Sequence, residues 1–319
     1  MNDSMQQLFA QEPAWSEAGA SDPALRARMI GEMLPFLRLW HGKTVVIKYG
    51  GAAMTNESLK AAVMGDIALL HLAGVRPVVV HGGGPEISEM CRQMNIEPRF
   101  VAGMRVTDEP TMRVTEMVLG QIAKSIALLL TEKGAPAVGL SGKDAGLLQA
   151  RKLTGEADWG LVGEVHSVAP SLLNALSREG FVPVISPVAP GAGAGDGDGA
   201  GDDAGASSTY NINADLAASA IAVALGAEKL LLLTDVAGVY RDFEDKSSLI
   251  EAMTVREAEQ LAAAGVLSQG MIPKVRCCVD AVRGGVGRAH IIDGRAPHAI
   301  LIELFTPGGC GTMISNGLE

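Results

Sequence analysis

The chain has 319 residues, 48% of them hydrophobic, and sets 26 Lys+Arg against 36 Asp+Glu for a formal charge of −10. That length supports one large α/β unit or two lobes around a packed core. The acidic balance argues against a general binder of nucleic acid or anionic membrane. The apolar runs are short and interrupted by charge or glycine, so no membrane span is expected. Acids near the N-terminus, with no basic segment ahead of an apolar stretch, give no secretory pattern. Cys91, Cys277, Cys278 and Cys310 match neither a zinc set nor a disulfide framework; reduced thiols in a cytoplasm fit that usage.

Residues 1–21 lack periodicity and are expected to be a disordered tail. Residues 22–42 predict an amphipathic helix, with Leu25, Met29, Met33, Phe36, Leu37 and Trp40 three or four apart and a kink at Pro35. Residues 43–190 read as one lobe and 209–319 as a second. In the first, Thr44-Val45-Val46-Ile47-Lys48 is a strand running into Gly50-Gly51, residues 59–70 mark a helix, and Val75 to His81 is a second strand. It ends in Gly82-Gly83-Gly84, and Pro85 opens a helix where a missing N–H costs nothing. A strand–helix–strand unit implies parallel neighbours, so both glycine turns should emerge at one sheet edge. Residues without Cβ let backbone approach a ligand closely, and N–H groups at a helix start suit an anion. The plainer alternative is a tight turn in which glycine supplies only positive φ.

The remaining elements are a strand or hairpin over 101–107, a helix over 110–133, strands over 136–140, 147–152 and 161–168, a helix over 170–179 and a strand over 181–188. The Gly/Asp run 191–208 cannot bury enough apolar surface to order itself and reads as a flexible insertion. It lacks the spacing of calcium loops. The second lobe predicts a helix to Leu225, a strand over 230–233, helices over 254–264 and 271–282, a strand over 289–292 and a helix over 297–304. No G-x-x-x-x-G-K-[ST] and no strand-linked G-x-G-x-x-G occurs, which disfavours Walker-type and dinucleotide sites.

Lys48 beside two glycine turns suits a bound phosphate, although a strand-end lysine alone is usually a solvated charge. Six motifs occur in order: Lys48-Tyr-Gly-Gly51, His81-Gly-Gly-Gly84, Gly103-Met-Arg-Val-Thr107, Asn211-Ile-Asn-Ala-Asp215, Leu233-Thr-Asp-Val236 and Gly270-Met-Ile-Pro-Lys274. This order resembles the acetylglutamate kinases of the amino acid kinase family, over residues 22 to 315. The resemblance implies an open αβα sandwich with a mostly parallel central sheet, an acetylglutamate-binding first lobe and a nucleotide-binding second lobe. It implies ATP, with Mg2+ carried by the nucleotide, phosphorylating the side-chain carboxylate of N-acetyl-L-glutamate to N-acetyl-L-glutamyl 5-phosphate in arginine biosynthesis.

By the same resemblance, Lys48 and Lys274 flank the migrating phosphoryl group, Gly51 and Gly83 donate N–H groups, and Asp215 holds the lysines. Gly84, Arg105 and Asn211 bind the acceptor, Arg105 on its α-carboxylate and Asn211 at its acetylated end. Thr234, Asp235, Gly270 and Met271 meet the nucleotide together with Lys48 and Lys274. Taken singly, Asn211 could be a helix cap, Asp215 a first-turn acid and Lys274 a solvated charge.

The N-terminal helix, His290, Glu303 and Gly309 resemble the arginine-inhibited, hexameric members, with Glu303 as a guanidinium partner. Those members often have tyrosine after Leu-Pro in this helix; Phe36 stands here and lacks the hydroxyl. Two other readings stay open on the residues alone: a kinase for another acidic acceptor such as carrier-bound aminoadipate, and a non-catalytic arginine- or nucleotide-sensing module.

Overall fold

The computed structural model describes residues 23–101, 103–155, 157–192, 208–268 and 270–317. The expected tail over 1–21 and residues 193–207 of the expected insertion lie outside the described residues. The chain opens with helices α1 (Pro23–Glu32) and α2 (Leu34–Trp40), broken at Met33. Pro35 lies in the first turn of α2, where no helical acceptor needs its N–H.

Strand β1 (Thr44–Tyr49), a short helix α3 (Ala52–Thr55) and helix α4 (Glu57–Leu72) follow, then β2 (Arg76–His81) and α5 (Gly84–Gln93). Asn56 caps α4 by accepting from Leu59 N at 3.1 Å. β1 and β2 are parallel neighbours with Lys48 opposite Val80, so both glycine turns leave one edge as expected. Next come the hairpin β3 (Phe100–Val101) and β4 (Met104–Arg105), helix α6 (Glu109–Glu132), β5 (Ala137–Ser141), β6 (Leu148–Lys152), β7 (Val162–Val168), α7 (Ser171–Arg178), β8 (Val182–Ser186) and β9 (Val188–Pro190). The chain closes with β10 (Thr209–Ile212), α8 (Ala214–Ala224), β11 (Lys229–Thr234), β12 (Ala252–Thr254), α9 (Val255–Ala263), α10 (Ile272–Arg283), β13 (Arg288–Asp293), α11 (Ala299–Phe305) and β14 (Thr312–Ser315).

One eight-stranded sheet runs through the molecule in the order β12-β14-β13-β11-β1-β2-β8-β5. Every pairing is parallel except β13 with β14, so the sheet is mostly parallel, as expected. A second sheet orders β6-β7-β10-β9. β10 follows the Gly/Asp stretch in sequence yet pairs with β7 and β9. β12 and β14 went unanticipated: they are three and four residues long and sit at one edge of the large sheet, too short to show a period.

The sheet is covered on both faces, which gives its strands continuous apolar runs. On one face Val45, Ile47 and Tyr49 pack with Met64, Ile67, Ile126 and Ile300. On the other, Val46, Val78, Leu230 and Ile291 pack with Ala217, Ala218, Ile221 and Val279. Side chains alternate along a strand, so Lys48 shares the face of Val46 and of helix α8.

Among the described residues α6 is the one long helix of apolar character, with Gly120 and Lys124 interrupting its apolar runs. It has the length and composition to cross a membrane, with mean hydropathy 1.4 in its most apolar window. Its Met112, Val118, Leu119, Ile126 and Leu130 are buried within the protein.

Candidate active site

The C-terminal edge of β1 and the N-terminus of α8 meet at three charges. Lys48 Nζ stands 3.0 Å from Asp215 Oδ1, and Lys274 Nζ donates to Asp215 Oδ2 at 2.8 Å. Lys48 comes from β1, Asp215 from the first turn of α8 and Lys274 from the first turn of α10. α8 approaches the sheet closely because Ala217, Ala218 and Ala222 present little bulk. α10 is fastened to α8 twice: Cys277 Sγ donates to Asp215 O at 2.9 Å, and Ser219 Oγ donates to Cys277 O at 3.1 Å. Burial pushes Asp215 up, but the two ammonium groups outweigh it and hold its carboxyl below the ordinary range. It is therefore an anion at neutral pH.

The cap of α8 is Asn213, not Asn211: Asn213 Oδ1 accepts from Asp215 N at 2.8 Å and Leu216 N at 3.3 Å. Asn211 lies two residues earlier on β10, half-buried, its N–H bonded to Leu161 O.

Two glycines have visible reasons. Gly51 has φ +69°, and a Cβ there would lie 2.3 Å from Asp235 Oδ1, so the turn after β1 touches the turn after β11. A Cβ at Gly83 would lie 2.7 Å from Leu119 Cδ2 and 2.8 Å from Ile122 Cδ1. Gly83 thus lets α5 begin against α6. Gly84 next to it is exposed with open space around it. The first N–H groups of α5 have no partner within the helix.

Arg105 is buried at 8% exposure. Its Nη2 donates to Gly84 O at 2.8 Å and to Ser88 Oγ at 2.7 Å, and the Phe100 ring lies 4.8 Å from Cζ. Among the described residues its buried Nη1 has no hydrogen-bond partner. Thr234 ends β11 and is bound to its own turn through Val236, leaving Asp235 exposed beside Gly51. Gly270 is exposed and Met271 buried at the start of α10, one turn before Lys274.

The other group of expected residues forms a separate cluster. Glu303, on α11, is not an open surface acceptor. Its Oε1 takes hydrogen bonds from buried Lys229 Nζ and, at 2.8 Å, from His290 Nε2, while its Oε2 accepts from Cys310 N at 2.8 Å. Burial raises Glu303, yet His290 and Lys229 bring its carboxyl down to about 2. Gly309 has φ +57° and passes so near that a Cβ would lie 2.5 Å from Glu303 Oε2. Trp40 closes the cluster, its ring 5.1 Å from Lys229 Nζ and its indole N–H donating to Leu304 O at 2.8 Å. Lys229 and Trp40 escaped sequence reasoning: one opens an apolar strand and the other ends a helix, 189 positions apart (229 − 40).

Residues 43–293 match the amino acid kinase family, and the chain belongs to that family. Within it, the chain resembles acetylglutamate kinases. The acetylglutamate kinase of Symbiobacterium thermophilum is 51% identical over 91% of this chain and 97% of its own length. That of Thermosynechococcus vestitus is 52% identical over 91% and 94%. Among solved structures, an N-acetylglutamate synthase from Neisseria gonorrhoeae, complexed with coenzyme A and N-acetyl-glutamate, superposes with a TM-score of 0.77 at 26% identity over 92% of this chain. This chain spans 64% of that synthase's length. Carbamate kinase from Giardia lamblia shares the fold, with a TM-score of 0.62 at 19% identity, over 86% of this chain and 99% of its own.

Proposed function

We propose that this chain transfers the γ-phosphoryl group of ATP to the side-chain carboxylate of N-acetyl-L-glutamate, a step of arginine biosynthesis. The observation that carries it is the shared anion: Lys48 and Lys274, from two different elements, meet on Asp215 beside the glycine turns. An acceptor carboxylate oxygen attacks the γ-phosphorus, the bond to the β,γ-bridging oxygen breaks, and ADP departs with the electron pair. No proton is moved, because the acceptor is already ionised at neutral pH. Charge on the travelling group is met by Lys48 and Lys274 and by N–H groups of Gly51 and Gly83. Asp215 spaces the lysines so that neither must be gathered from solvent when the reaction begins.

Arg105 takes the acceptor's α-carboxylate. A buried guanidinium nitrogen with unmet donors at Nη1 suits an incoming anion. Asn211 and Gly84 take the rest of the acceptor, and Thr234, Asp235, Gly270 and Met271 border the nucleotide. Among the described residues, no three His, Cys, Asp or Glu side chains are grouped to hold a metal ion. Magnesium would enter with the nucleotide and would supply charge neutralisation on its phosphates.

We also propose arginine feedback at the Glu303 cluster, where an arginine guanidinium would share Glu303 with Lys229 and His290. A related synthase, 25% identical, was solved with L-arginine. We propose assembly through α1 and α2, ending in a hexamer: Leu25, Met29, Ile30, Leu34 and Leu39 are large apolar side chains left exposed. Sedimentation of the full chain against one lacking residues 1–42 tests that role; an unchanged oligomer removes it. We place the protein in the cytoplasm, in keeping with four free cysteines.

Coupled ADP release with free N-acetyl-L-glutamate, with and without arginine, tests the main reading. Release that depends on this acceptor supports it. Release only with a different acidic acceptor, or ATP binding without turnover, rejects it.

A further inference from the structure

Nη2 of Arg105 has two N–H groups, and both are committed to the first turns of α5, one to Gly84 O at 2.8 Å and one to Ser88 Oγ at 2.7 Å. Ser88 Oγ in turn donates to Gly84 O at 3.0 Å, so the hydroxyl is oriented and offers its lone pairs to the guanidinium. Phe100 holds the guanidinium from a third direction. What remains is Nη1, buried and without a hydrogen-bond partner among the described residues. The same first turn of α5 begins at Gly83 and Gly84, so one short segment carries the phosphoryl cradle and anchors the arginine.

We propose that Ser88 is a positioning residue for recognition of the acceptor's α-carboxylate. Its hydroxyl pins Nη2 and thereby leaves Nη1 as the nitrogen that the carboxylate meets. Ser88 touches neither substrate, and its action passes through Arg105 alone. This rests on the reading of Arg105 given above. Sequence spacing does not reveal it: Ser88 and Arg105 are 17 positions apart, on a helix and a hairpin. The competing role is structural, since a serine bonded to the carbonyl four residues back is common in helices.

Steady-state kinetics of full-length Ser88→Ala separates these roles. The comparison ligand is 4-acetamidobutanoate, used as an inhibitor; it has the acetamide and the reacting carboxylate but no α-carboxylate. We expect Ser88→Ala to raise KM for N-acetyl-L-glutamate about tenfold, the scale of one hydrogen bond to a charged group. We expect kcat, KM for ATP and the inhibition constant of 4-acetamidobutanoate to stay within about twofold of the parent, because none of them reads the α-carboxylate. Ser88→Cys, similar in size and a poor donor and acceptor, should behave like alanine, and Ser88→Thr, which keeps the hydroxyl, should restore KM.

An unchanged KM in both the alanine and the cysteine variant overturns the proposal. So does a parallel rise in KM and in the analogue's inhibition constant, which reports a distorted lobe instead of a misdirected arginine. If the parent chain itself releases no ADP with N-acetyl-L-glutamate, the functional reading fails first, and the two failures are told apart.

Discussion

Asp215 and Glu303 are two solutions to the same problem. Each is a buried carboxylate between two basic side chains, carried on a helix that packs against the sheet. They differ in what surrounds the bases. Lys48 and Lys274 keep 12% and 25% of their side-chain surface, whereas Lys229 and His290 keep 3% and 6%. The first trio is open at the glycine-lined edge, where the proposed function puts its lysines on the phosphoryl group. The second is closed by Trp40 and by the Gly309 turn, so its charges neutralise one another and join α2, β11, β13 and α11. A buried ion pair is weak evidence for stability in itself, yet breaking one from one side is costly. The open trio should therefore fail in catalysis when cut, and the closed one in folding.

The largest effect should come from Glu303→Gln, which leaves the Lys229 ammonium buried without its anion. Urea unfolding at pH 7 should show a loss of about 3–5 kcal/mol. The gap has a pH signature. Glu303 is held down to about 2 in the folded protein, below its ordinary 4.5. A depressed carboxyl contributes stability above its unfolded value and loses it as pH falls toward the folded one. The gap between parent and variant should hold above about pH 4.5 and close as the pH is lowered toward 2. A constant gap would mean that the charge of Glu303 is not what matters.

Asp215→Asn sharpens the contrast from the other side. Lys48 and Lys274 can turn toward solvent, so stability should fall by less than in Glu303→Gln, while turnover falls about 100-fold because the clamp loses its spacer. Equal losses of stability in the two variants would break the comparison. A smaller effect is expected from Gly51→Ala, which forces a side chain onto a left-handed turn against Asp235. ADP release should drop about tenfold through the displaced amide. The smallest is Trp40→Phe, which removes the hydrogen bond to Leu304 O; thermal unfolding should report a loss of about 1 kcal/mol with turnover unaltered.

What the sequence made legible follows the same division. β1 and β2 with their glycine turns could be read directly, because β-branched runs ending in glycine have few other uses. Lys48 and Asp215 belong to motifs whose neighbours fix them on a strand end and a helix start. Glu303 could be singled out, but its closure could not: Trp40 reaches Leu304 across 264 positions, and nothing local in either segment signals the contact. Asn213 was readable as a cap by its place before a helical run, yet Asn211 stood close enough to compete. Ser88 escaped because a helical serine looks the same whether or not an arginine rests on it. β12 and β14 escaped because pairing with the sheet, not periodicity, makes them strands.

The central claim is that Lys48 and Lys274 act as one unit on one travelling phosphoryl group. Turnover of Lys48→Ala, Lys274→Ala and the double variant, measured by ADP release at saturating substrates, tests it most directly. Each single variant should lose about 1,000-fold, and the double should be within about tenfold of the worse single, as for residues that work together. Losses that multiply in the double variant, or near-normal turnover in either single one, would contradict it.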